Sequence, residues 1–145
     1  MFRGSQPTRV DEKGRLKIPA SFKREIDGKF DARFYITSLD GRVAKLYPLQ
    51  VWEEIEAKLE KIPDFEPAKE LFLDRTNYYG QEVEMDAQGR VLLPALLRES
   101  ANLVAEVVVV GTQRHLEVEN KEAYSKRAER AFTPEDKALL ATLRI

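Results

Sequence analysis

Two segments of the chain set an acid and a base at the same spacing. Asp11 stands four residues before Arg15, and Asp86 four residues before Arg90, with Gly14 and Gly89 at the fourth position of each segment. A carboxylate at the head of a tight turn accepts backbone N–H groups inside that turn. An arginine beginning the strand that follows presents a planar fork of donors, which fits phosphate oxygens or the O6/N7 edge of guanine. Lys13 falls at the tip of the first turn. Lys17 lies two residues beyond Arg15 and so on the same strand face. In the second segment Gln88 and Leu92 take those places, leaving Arg90 as the main cation. The chemistry legible here is anion recognition, and the first turn is expected to supply more of the phosphate contact than the second. A purely structural reading exists as well: the aspartate staples the turn and the arginine packs over it. The repetition of the arginine, which no turn requires, favours the functional reading.

Other chemistries find little support. The chain has no cysteine and one histidine, His115, so neither a thiolate site nor a histidine metal cluster can be built. No serine stands in a Gly-x-Ser-x-Gly elbow and no glycine-rich phosphate loop occurs. We expect no enzyme, no metal and no cofactor. His115 reads as a hairpin residue, and Trp52, Tyr78 and Tyr79 as packing groups rather than a base-stacking platform.

The elements that must hold these residues are themselves repeated. Residues 10–23 match residues 85–98, with Asp, Gly, Arg, Pro and Ala coincident and the apolar positions alike in type. A repeat of this kind is settled before the fold. Each copy reads as a short strand (Thr8 to Val10; Gly80 to Met85), a type I turn, a second strand (Arg15 to Ile18; Arg90 to Leu93), and a helix opening on proline at its first position (Pro19 to Ile26; Pro94 to Ala101). Two further strands follow, Arg33 to Ser38 and Val43 to Tyr47, then Glu106 to Thr112 and His115 to Val118. A helix from Pro48 to Ile62 carries the stripe Val51, Ile55, Leu59 and Ile62. Another spans Glu66 to Asn77. Asn120 caps a helix to about Ala131, and Thr133 caps a last one, opened by Pro134, that carries Leu139, Leu140 and Leu143. The fold class is α+β. The organisation is a first repeat with its helix over residues 1–62, a helical connector over 63–79, and a second repeat with its helices over 80–145.

Net charge is −1 over 145 residues, but its distribution is uneven. Residues 1–24 hold seven bases against two acids, and residues 49–75 eight acids against four bases. One basic and one acidic face can therefore coexist on a chain neutral on average. No apolar run is long enough to cross a bilayer, and the first residues lack the apolar stretch of a secretory signal. A cytoplasmic location is expected.

The two turn motifs, the Phe2-Arg3-Gly4 start and the Leu46-Tyr47-Pro48 to Trp52-Glu53-Glu54 segment together resemble the MraZ family over nearly the whole chain. That resemblance implies tandem swapped-hairpin repeats of the SpoVT/AbrB kind around a small barrel-like core flanked by helices. It implies a homo-oligomeric ring, and a nucleoid-associated regulator that binds double-stranded DNA at short direct repeats upstream of division and cell-wall genes. By position, Arg15 and Arg90 are the signature arginines, and Asp11 and Asp86 the signature aspartates. Gln88 and Leu92 put an equal share for the second turn in doubt. The alternatives are an antitoxin-like module that binds DNA and a partner protein, and a self-assembling scaffold that never meets nucleic acid. The first should carry a disordered tail where this chain shows an amphipathic helix.

Overall fold

A computed structural model describes residues 1–145 as eight strands and six helices. The strands are β1 (Ser5–Val10), β2 (Arg15–Lys17), β3 (Arg33–Thr37), β4 (Ala44–Pro48), β5 (Gln81–Glu84), β6 (Arg90–Leu92), β7 (Ala105–Thr112) and β8 (His115–Asn120). The helices are α1 (Ala20–Lys29), α2 (Leu49–Glu60), α3 (Pro67–Tyr78), α4 (Ala95–Ser100), α5 (Lys121–Ala128) and α6 (Pro134–Thr142). All strands join one antiparallel sheet in the order β5-β3-β4-β8-β7-β1-β2-β6. Its end strands β5 and β6 come together across the second turn, which nearly closes a small barrel.

The pairing exchanges strands between the two repeats. β1 pairs with β7, β2 with β6, β3 with β5, and β4 with β8. The reason lies in burial. Leu16, Ile18, Phe22 and Ile26 of the first repeat, and Val91, Leu93, Leu97 and Ala101 of the second, all enter one core. These residues correspond one to one at a separation of 75. Neither hairpin alone has a partner for its apolar face; each finds one in the other.

Pro19 and Pro94 stand one residue earlier than expected. Their backbone is extended, with φ −56° and ψ 145° and φ −56° and ψ 134°. Their carbonyls already accept from Lys23 N (2.9 Å) and Arg98 N (2.9 Å), which is the behaviour of a cap rather than a first helical residue. In α2, Val51 and Trp52 are buried, whereas the stripe runs out towards an exposed Ile62. Trp52 stacks on Tyr35 at 4.6 Å and on Phe72 of α3 at 6.1 Å, so it serves packing. Asn120 caps α5 through Ala123 N at 3.1 Å. Thr133 and Asp136 form a reciprocal capping box at the start of α6.

Candidate nucleic-acid interface

The first turn is closed by Gly14 N donating to Asp11 O at 2.9 Å, and by Asp11 N donating to Arg15 O at 2.9 Å. Gly14 takes φ +85° and Gly89 φ +77°, backbone that glycine reaches without steric cost. Asp11 Oδ1 accepts from Lys13 N (3.0 Å) and Arg15 N (2.9 Å), while Oδ2 accepts from Arg15 Nε (2.7 Å). The second turn reproduces this. Asp86 Oδ1 accepts from Gln88 N and Arg90 N, both at 2.9 Å, and Oδ2 from Arg90 Nε at 3.0 Å.

In each turn the aspartate holds the arginine Nε and leaves the terminal Nη groups without a protein acceptor. A guanidinium fixed at Nε is held rather than free to swing. The expected structural reading and the functional one are therefore the same arrangement: the carboxylate staples the turn and orients the donor.

The backbone bonds from Arg15 N and Arg90 N are the main reason the Asp11 and Asp86 carboxyls sit below their ordinary range, with the arginine side chains adding to it. A depressed carboxyl stabilises the turn above its unfolded pKa, and that contribution is lost as pH falls through the folded value. The turns should hold their geometry down to about pH 4, the usual aspartate range, and loosen below it. The amide shifts of Lys13, Arg15, Gln88 and Arg90 followed against pH check this; midpoints at or above the ordinary aspartate value would contradict it.

The pairing of β2 with β6 brings the two turns onto one surface. Arg15 lies opposite Leu92, Leu16 opposite Val91, and Lys17 opposite Arg90. Leu16 and Val91 are fully buried, so the other four side chains share the outward face. Each turn also anchors the other repeat: Ile18 N donates to Gly89 O at 2.8 Å and Leu93 N to Gly14 O at 3.0 Å. A cleft of about 720 Å³ is lined by Arg9, Lys13, Arg15, Lys17 and Arg90 against Asp11 and Glu12. All four cations expected from the sequence thus meet at one site, and Arg90 belongs to the same cleft as the first turn's residues.

Two details differ from the sequence reading. Lys17 Nζ donates to the carbonyl of Gln88, so this lysine bridges to the second turn. Arg9 adds a cation that the sequence reading passed over, although its position between the inward Thr8 and Val10 already turned it outward. It is exposed and only loosely paired with Glu106 at 3.8 Å. His115 lies away from this cleft. It is stacked on Tyr47 at 4.6 Å and bonded to Glu117 at 3.1 Å.

The family model described as "MraZ protein, putative antitoxin-like" matches residues 1–75 and 80–142. A protein of Acidobacterium capsulatum named transcriptional regulator MraZ is 61% identical over 142 residues, covering 97% of both chains. Its namesake from Koribacter versatilis is 52% identical over 147 residues, covering all of both. One from Coxiella burnetii is 36% identical over 130 residues, 89% of this chain and 86% of that protein.

Proposed function

The chain belongs to the MraZ family, whose relatives are named transcriptional regulators, and on that premise we propose that it regulates transcription by reading double-stranded DNA through the β2·β6 ribbon. The observation that carries this is the pair of aspartate-held arginines on one outward face, each with its fork free. A two-stranded ribbon fits the major groove, where a bidentate arginine selects guanine. Lys13 and Arg9, at the margin of the ribbon, take phosphates. Lys17 joins the two turns and keeps their spacing.

One subunit brings few cations, so a single cleft binds weakly and with a salt penalty. Assembly into a ring presents several clefts to successive direct repeats, and effective concentration raises affinity without new contacts. The target class is the short repeats upstream of division and cell-wall genes, at the nucleoid. Selection of bound duplexes from a random pool tests the reading. Enriched guanine-containing repeats at a constant spacing are the expected product, and a pool that stays random overturns the proposal.

The subunit contacts are supported by apolar groups with no cover in the chain. α6 has nine residues, short of what an isolated helix needs in water, yet Leu139 and Leu143 are 62% and 61% exposed. Phe65, just before α3, and Leu71, within it, are exposed as well. Deleting residues 133–145 should lower the mass of the assembly by light scattering while the remaining chain stays folded. An unchanged mass would remove α6 from the interface, and a monomeric parent would remove the ring.

A further inference from the structure

The outward face of β2·β6 carries three cations and one leucine. Leu92 is 48% exposed, lies directly across from Arg15, and shares a strand face with Arg90 two residues away. By the repeat it stands where the first copy has Lys17. It does nothing for the core, because Val91 and Leu93 on either side are 0% and 1% exposed and fill it. Scattered exposed leucines are ordinary; one set directly across from Arg15, at the end of a charged face and beside the cleft, has a chemical consequence. It places apolar surface where an approaching polyanion offers only polar or charged groups, with one exception. In the major groove that exception is the C5-methyl of thymine.

We propose that Leu92 reads a thymine methyl close to the guanine addressed by Arg15 or Arg90, within about two base pairs of it. The inference rests on the DNA reading proposed above. Directly opposed strand residues lie about 5 Å apart, and residues two apart on one strand about 7 Å. With bases stacked every 3.4 Å or so, the thymine falls within about two base pairs of that guanine. The asymmetry between Lys17 and Leu92 then has a use: the lysine bridges the turns, and the leucine supplies a contact that depends on the base. The ribbon reads two different letters with two nearly equivalent halves.

The test uses the full assembly and the duplex selected from the random pool, made once with thymine and once with deoxyuridine throughout. Uracil keeps every hydrogen-bonding edge and lacks only the methyl. The parent protein should bind the uracil duplex about fourfold more weakly per engaged ribbon, the transfer value of one methyl-sized group. Leu92→Ala should bind both duplexes alike, at the parent's level for the uracil form. Leu92→Lys should bind more tightly at low salt and also show no preference. If Leu92→Ala keeps the thymine preference, or if the parent has none, the inference fails while the arginine reading stands. A change in assembly mass on Leu92→Ala assigns the residue to a contact between copies and overturns the inference equally. If the selected duplex is bound as well by Arg15→Ala as by the parent, it is the DNA reading itself that fails.

Discussion

Arg15→Ala is expected to weaken binding to the selected duplex by about fivefold to 150-fold per engaged turn, the range of one good bidentate base contact of roughly 1–3 kcal/mol. The loss multiplies over the repeats held at once, because each engaged cleft contributes to the avidity. The fold should not change. Asp11 keeps its bonds from the backbone N–H groups of residues 13 and 15, which close the turn without the arginine side chain. Arg15 is surface-facing, and its only side-chain partner in the chain is Asp11. Light scattering and thermal unfolding should therefore match the parent. Arg15→Lys separates the two parts of the contact. It retains the charge, so the slope of affinity against salt stays nearly the same, but a lysine cannot reproduce the fork. Preference for the selected duplex over a scrambled one should fall with it. If Arg15→Ala bound the selected duplex as the parent does, the ribbon would not be the reading surface. The same substitution at Arg90 should have a comparable effect, since the two arginines share one cleft. That differs from the unequal turns that counting lysines alone predicts.

Why the lysine count and the register lead to different expectations is a matter of range. Local features were legible in the sequence because they depend on a few neighbouring residues. Asp11 heading its turn, Asn120 capping α5 and Thr133 capping α6 all follow from side chains reaching backbone within four residues. The repeat was legible too, and with it the one-to-one core positions. Strand partners were not open to the same reasoning. A period of two says which face of β2 is buried, but not that β2 lies against β6 in the register that sets Lys17 beside Arg90. Only the family resemblance implied exchanged hairpins. Without that register Lys17 looks like a free cation; with it, the side chain meets the Gln88 carbonyl. The α2 stripe illustrates the same limit. Val51 to Ile62 is apolar at helical spacing, yet only Val51 of that stripe is buried within the chain, Ile55 and Leu59 are partly covered and Ile62 is exposed. Periodicity shows that a face is apolar and not what covers it.

Leu16→Ala should separate stability from recognition in the opposite sense to Arg15→Ala. Leu16 has no exposed surface, belongs to the shared core, and pairs across the ribbon with the equally buried Val91. Truncation there removes transfer energy and leaves a cavity, a loss of about 2–5 kcal/mol out of a total of roughly 5–15 for a domain. Thermal unfolding should drop by several degrees up to about 20 °C for a chain of this size, measured at one fixed protein concentration because assembly itself stabilises the folded subunit. The residues bordering the cavity come from both repeats, so the transition should remain single rather than split into two. At a temperature well below that transition, DNA binding should stay close to the parent, since Arg15 and Lys17 keep the outward face and the turn bonds of Asp11 are local. An unfolding midpoint like the parent's would show that Leu16 is not in a closed core. Two separate transitions would show that the repeats do not share one. Binding lost at low temperature along with stability would mean that the outward face depends on packing beneath it, and not on the Asp11 and Asp86 staples alone.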